Sequence, residues 1–378
     1  MIPRFLLGAF LAVVMVVVGA SSYLYLDLRK SKVALAPQKP TAAQPTPHSF
    51  VLPGTIYLTQ SGALYSFSSG RFHQLTPENS WMQPSLTPDG NILMVKRSAF
   101  YSDVYELNRF GTVMRQLTNN AAPRRSYDTG DNHWSFYPRV TSDGKTVFMS
   151  YDKPKSGYEV DLSIWSMPLA GTIARGQVWS DESTDPGYTG GDIQPVPVPG
   201  GVIYTRYDRN PDGSIIGQLW FTSRPGSFGK PLTSPGEDCR EPSMSPGDNY
   251  VAMICTFGEQ ISDLVIAPFA GGNLGKRTAI IIDQMVAQPA WAPDGSGIAY
   301  LAPALPDSPF QLYFIPSQAY FPPAPSPVPT PSVIPGGPQG SPEPSPSPSP
   351  APIPPPVKPI QMTVSLGFDA TSTLAWAP

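Results

Sequence analysis

Gln288, Pro289, Ala290, Trp291, Ala292, Pro293, Asp294, Gly295, followed by the apolar run Ile298 to Leu301, is the stretch whose reading decides the fold. Apolar alternation leads into Asp-Gly, a pair that tolerates the positive φ of a tight turn, and the chain returns as a second β-rich segment. That is a hairpin, and the alternation offers one face of each strand for burial. The phrase recurs at Gln83, Pro84, Ser85, Leu86, Thr87, Pro88, Asp89, Gly90 and at Tyr137, Pro138, Arg139, Val140, Thr141, Ser142, Asp143, Gly144. Weaker copies run from Gln194 to Gly201 and from Glu241 to Asp248. Intervals of 47 to 57 residues between copies fall in the range of propeller blades. The proline is expected at the strand entrance, where no hydrogen-bond donor is needed.

The last residues, Leu374 to Pro378, repeat Pro289 to Pro293 and stop where the turn would begin. The opening segment Thr55 to Thr76 supplies three strands, around Ile56 to Leu58, Leu64 to Phe67 and Phe72 to Leu75, without an innermost partner. A C-terminal strand added there completes a sixth blade and leaves no long edge unpaired. On these residues the chain, over positions 54–378, resembles the WD40-like Asp-Gly repeats of TolB and of the propellers attached to prolyl oligopeptidase-type enzymes. The resemblance implies an all-β six-bladed β-propeller closed by the C-terminal strand. It also points to a scaffold in a cell-envelope complex and leaves the ligand open.

Beyond the ring, residues 1–4 form a short tail, and Phe5 to Leu26 is a charge-free run long enough to cross a bilayer as one transmembrane helix. Tyr23 and Tyr25 would sit at its outer interface. Val18, Gly19 and Ala20 also resemble the end of a cleavable signal peptide, so segment 5–26 reads as an anchor or a signal peptide, with its length favouring the anchor. Arg29, Lys30 and Lys32 follow the span while only Arg4 and the amino terminus precede it, an arrangement that the positive-inside rule reads against export. A Pro-rich linker spans 27–53. A Pro-rich insert at 322–359, within the last blade, holds 18 of the 49 prolines. Cys239 and Cys255 would face each other if Ser245 opposes Asn249 across a three-residue turn. A disulfide between them suits an oxidising compartment, and two buried free thiols is the competing reading. The expected location is therefore the cell membrane, single-pass, with a monomeric propeller on the extracytoplasmic side. A net charge of -3 argues against nucleic acid, which needs a clustered cationic face.

In four-stranded blades the Asp-Gly turns lie on one face, here the lower, together with the loops between third and fourth strands. Linker and insert both leave from it. The upper face collects the other loops. Aromatic residues beside carboxylates and arginines there suit a protein, peptide or glycan, and the candidate ligand-binding residues are Tyr101, Arg124, Arg125, Tyr127, Asp131, His133, Trp134, Tyr158 and Tyr188. Asp208, Asn210 and Asp212 reproduce the opening of a calcium loop, the single cofactor suggested, although Leu219 stands where a bidentate glutamate would be needed. The chain has three histidines, His48, His73 and His133, and no Gly-x-Ser-x-Gly elbow, so a serine hydrolase lacks its parts. No catalytic residue is assigned. The alternative is a carboxylate-dependent hydrolase, of glycosidase or lactonase type, drawing on Asp128, Asp131, Asp161, Asp192 and Asp208.

Overall fold

The structure, a computed structural model, describes residues 51–123, 129–153, 160–180, 188–227, 229–257, 261–321 and 358–378. The apolar run 5–26, the linker up to residue 50 and positions 322–357 of the insert lie outside the described residues.

Three strands open the ring, β1 (Thr55–Gln60), β2 (Ala63–Ser68) and β3 (Arg71–Gln74). Blade two is β4 (Trp81–Leu86), β5 (Ile92–Arg97), β6 (Ser102–Leu107) and β7 (Val113–Gln116). Blade three is β8 (Ser135–Val140), β9 (Thr146–Tyr151), β10 (Ser163–Pro168) and β11 (Gln177–Val178). Blade four is β12 (Asp192–Val198), β13 (Gly201–Arg209), β14 (Ile215–Thr222) and β15 (Lys230–Pro231). In blade five, β16 (Cys239–Met244), β17 (Tyr250–Cys255) and β18 (Asp263–Ala270) are followed by β19 (Asn273–Leu274) and β20 (Thr278–Ile281), both on β18. Blade six is β21 (Ala287–Trp291), β22 (Gly297–Pro303), β23 (Phe310–Pro316) and β24 (Ile360–Gln361). The last strand, β25 (Ala375–Ala377), pairs antiparallel with β1, Thr55 opposite Ala377 and Tyr57 opposite Ala375, and so closes the ring of six. Trp376 fastens the closure: its indole N–H donates to the Pro53 carbonyl at 2.7 Å and its ring meets Phe314 edge-on.

Middle strands are apolar on both faces, which corrects the expectation that one face of each is buried. Ile92, Leu93, Met94 and Val95 of β5 are fully buried. Ile92 and Met94 pack with Leu64 of blade one, while Leu93 packs with Val147 and Met149 of blade three. In β17, Val251 and Met253 pack against blade four, and Ala252 and Ile254 against blade six. The period of two sends successive side chains to opposite neighbours, so a strand between two blades must read as a continuous apolar run.

The repeated proline does not begin its strand. Pro84 is the fourth residue of β4, and in all five copies the residue before proline and the proline itself form a bulge. Met82 pairs with Val95 and Ser85 with Leu93, so Gln83 and Pro84 together oppose Met94. The pre-proline residue adopts a left-handed backbone each time, with φ of 56° at Gln83, 53° at Tyr137, 56° at Gln194, 58° at Glu241 and 54° at Gln288. The innermost strand has no inner neighbour, so the missing proline N–H leaves no ladder bond unmade. The bulge turns the pre-proline side chains toward the propeller axis, where Tyr137, Gln194, Glu241 and Gln288 line one narrow cavity with Thr373.

There they link blade to blade. Gln83 Oε1 accepts from the Tyr137 N–H at 2.8 Å, Gln194 Oε1 from the Glu241 N–H at 3.2 Å, and Glu241 Oε2 from the Gln288 N–H at 2.6 Å. Gln288 Nε2 donates to the Ala370 carbonyl at 3.0 Å, and the Gln83 N–H donates to Ser372 Oγ at 2.6 Å. Five of the six blade junctions carry such a bond at this level.

The same bulge decides the cysteine register. Met244 pairs with Val251 and the Ser245 N–H bonds to the Tyr250 carbonyl, so the loop runs from Pro246 to Asn249, one residue longer than expected. Asp248 takes the left-handed turn position that glycine holds at Gly90 and Gly144. The bulge at Glu241 and Pro242 restores the lost residue, and Cys239 then stands opposite Cys255 with Cα atoms 4.1 Å apart and a disulfide between them.

Two outcomes follow for stability. Trp376→Ala removes both the packing and the Pro53 bond of the closing strand, and denaturant unfolding should show a loss of about 3–5 kcal/mol. Burial pushes the Glu241 carboxyl up to about 7 from its ordinary 4.5, against the opposing pull of the Gln288 N–H and Arg240. Below about pH 4.5 the group is protonated folded or unfolded; above about 7 the fold carries a buried charge, so stability from this residue falls as pH rises between the two. Glu241→Gln, which installs the residue found at Gln83, Gln194 and Gln288, should raise stability at pH 8 by on the order of 2–3 kcal/mol and leave it little changed at pH 4.5. Thermal melts of both proteins across this range check it.

Candidate functional site

The upper face is built at the junctions between blades. Between blades two and three, the connection from β7 to β8 is held at both ends by one buried asparagine. The Asn120 N–H donates to Asp103 Oδ1 at 2.8 Å, and its side-chain amide donates to the Ser102 carbonyl at 2.7 Å and to Ser135 Oγ at 2.6 Å. The Tyr151 hydroxyl donates to Asn120 Oδ1 at 3.2 Å. At the far end of the connection the His133 N–H bonds to the Asn120 carbonyl, and the Ser102 N–H bonds to the His133 carbonyl. A satisfied buried network of this kind holds the two ends of the connection together.

On that mount stand two of the expected residues. His133 Nδ1 lies 2.8 Å from Asp152 Oδ1, with Asp152 buried, so the carboxylate orients the ring. Trp134 stacks on Phe136 at 5.9 Å and 9°, and the Arg97 guanidinium lies over the Trp134 ring at 5.7 Å. Tyr101 closes the β5–β6 loop through its carbonyl, which accepts from the Ser98 N–H at 2.8 Å. Arg97 and Trp134 therefore meet beside His133 at the junction of blades two and three. Arg124, Arg125, Tyr127, Asp128 and Tyr158 lie outside the described residues, and Asp131 sits in a single 3-10 turn on the same connection. Tyr188 belongs to the next junction, where it is 57% exposed.

A cleft of about 630 Å³ opens on this face between blades one and two, its lining including Asn79, Lys96, Arg97, Tyr101, Asp103 and Tyr105. Lys96 was not among the residues expected from sequence. Its register is what places it there: Lys96 pairs with Trp81 on β4 and with Asp103 on β6, and its ammonium lies over the Trp81 ring at 5.3 Å.

Other expected groups have structural duties. Asp161 accepts from the Thr189 and Gly190 N–H groups at 2.9 and 2.7 Å, closing the connection into blade four. Asp192 is clasped by Arg206 at 2.7 and 2.8 Å; burial raises its pKa and Arg206 opposes the rise. The guanidinium of Arg206 in turn covers Trp220 at 4.3 Å. Asp208, Asn210 and Asp212 form the end of β13 and a turn closed by its own bonds. Asp212 Oδ1 accepts from the Ser214 N–H at 2.9 Å and from its hydroxyl at 2.6 Å, which holds the carboxyl below its ordinary range. Asp208 Oδ1 accepts from the Arg209 N–H. No group of three or more His, Cys, Asp or Glu side chains suited to a metal occurs among the described residues.

The blades together define a closed six-bladed propeller. It is a TolB-like propeller: TolB from Acinetobacter baumannii superposes with a TM-score of 0.51 at 16% identity, covering 71% of this chain and 62% of that one. This chain thus spans less than two thirds of that protein. A putative TolB from Agrobacterium tumefaciens matches at 0.47 and 13% identity, over 70% of this chain and 84% of that one. A puromycin hydrolase matches at 0.45 and 13% identity, over 62% of this chain and 37% of that one. No family model and no curated protein matches the sequence. Likeness at these identities establishes the fold.

Because the Asp208 to Ser214 turn closes on itself, calorimetric melting in millimolar calcium and in chelator should coincide within error; a rise of several degrees with calcium would reinstate the loop as a metal site.

Proposed function

We propose that this protein is a non-catalytic recognition module of the cell envelope, holding a protein, peptide or glycan partner on the upper face of its propeller. The observation that carries the reading is the Asn120 mount, which ties the described ends of the β7–β8 connection to blade two, with the Arg97 guanidinium over the Trp134 ring. Fixed aromatic and arginine side chains on a rigid scaffold are the usual anchors of binding surfaces, because little side-chain entropy remains to be lost on contact.

In this reading the run Phe5 to Leu26 anchors the chain as a single transmembrane helix. The loops opposite the Asp-Gly turns form the recognition face. The Cys239–Cys255 disulfide supports an extracytoplasmic, oxidising location. The ring acts as a monomer, without a cofactor and without nucleic acid. A hydrolase reading is less well supported, since Asp161 and Asp192 are committed to loop closure and to Arg206.

The test uses a tag in the Ser341 to Pro350 run on intact cells that produce the protein. External protease should cut the tag without lysis, and crosslinking should trap a surface partner with the parent chain. The Trp134→Ala, Tyr188→Ala variant should lose that partner while melting within a few degrees of the parent. Protection of the tag until lysis would move the protein to the other side of the membrane, and unchanged crosslinking would remove the upper face as the binding surface.

A further inference from the structure

Lys96 and Arg97 are adjacent cations in the cleft between blades one and two, and among the described residues neither forms an ion pair. The absence of a partner for Lys96 has a structural cause. Its cross-strand neighbour is Asp103, whose carboxylate is already engaged by three other donors. Oδ1 accepts from the Thr118 hydroxyl and the Asn120 N–H, both at 2.8 Å, and Oδ2 accepts from Gln116 Nε2 at 3.0 Å. The lysine is left over the face of Trp81, and Arg97 over the face of Trp134. Cation–π contacts position a cation without neutralising it, so both charges remain available to a ligand.

We infer that this cleft is a subsite for a carboxylate, supplied by an acidic peptide segment of the partner. The inference rests on the upper-face reading above and names the chemistry of that partner. A peptide fits the cleft better than an acidic sugar does. Sugars stack on open aromatic faces, and here Trp81 and Trp134 each have a face taken by a cation. Phe100, 56% exposed on the same loop as Tyr101, offers instead an apolar neighbour of the kind that flanks a charged contact in protein interfaces. A carboxylate entering the cleft replaces the acceptor that Asp103 withholds, and charge-assisted hydrogen bonds to Lys96 and Arg97 exceed ordinary neutral ones in strength.

The experiment titrates the full chain with hexaglutamate, hexalysine and trigalacturonate, following tryptophan fluorescence at low and high salt. Hexaglutamate should bind, more weakly as salt rises, and hexalysine should not. Lys96→Gln and Arg97→Gln should each weaken hexaglutamate about tenfold with melting temperature unchanged. No binding of hexaglutamate, or equal binding by the double variant, overturns the subsite, and binding of trigalacturonate in place of the peptide overturns the assignment to a peptide. The two readings separate on the cellular partner. Capture lost with Trp134→Ala, Tyr188→Ala but retained with Lys96→Gln, Arg97→Gln leaves the upper face standing and removes the carboxylate subsite.

Discussion

The left-handed residue before proline in five of the six innermost strands is the constraint on which the rest of the ring depends. A non-glycine residue at φ near +55° is costly, on the order of 1 kcal/mol or more, and persists only where its surroundings over-determine it. Here the surroundings are the neighbouring blades. The bulge that forces the backbone over also delivers Gln83, Gln194, Glu241 and Gln288 to the axis, where each bonds to the next blade or to the chain segment that closes the ring. Local strain and circular bonding are thus parts of one device: opening the ring would leave these polar groups without partners in a narrow channel. Arg139 shares the channel, its pKa lowered to about 10 by burial and one of its N–H groups on the Pro84 carbonyl at 3.2 Å.

Around the axis the blades are held by apolar side chains directed alternately to left and right. This arrangement makes every interior blade dependent on two neighbours, and it places the closing burden on Trp376 and the short β25. In a closed ring of this kind each connection is pinned at both ends by strands that cannot shift independently. The Asn120 network ties the described ends of the β7–β8 connection to blade two and so places His133 and Trp134.

Much of the candidate site was legible as a set of loops but not as a geometry. Aromatic and charged residues on the loops of three adjacent blades pointed to the upper face; in the structure the Arg97 guanidinium lies over Trp134, and Arg97 and Tyr101 line the cleft beside Lys96. Lys96 escaped notice because it ends a buried strand, where a charge at the rim looks like an ordinary solvated terminus. Its signal was the register Trp81, Lys96, Asp103 across three strands, which becomes readable only once the bulge in β4 is known. Asp161 and Asp192 looked like available carboxylates, yet their duties depend on Thr189, Gly190 and Arg206, whose proximity no local pattern announces.

The repeat spacing, the apolar runs of the middle strands and the orphan strand at the C-terminus were enough by themselves to determine six blades and the manner of closure, because periodicity and strand pairing are properties of the linear order. Tertiary structure alone decided register and availability. The cysteines face each other because a turn one residue longer than expected is compensated by a bulge one residue wide, two local errors that cancel only in the assembled hairpin. Among the described residues Lys96 forms no ion pair, while its cross-strand neighbour Asp103 bonds to Thr118, Asn120 and Gln116, contacts set by distance in the fold.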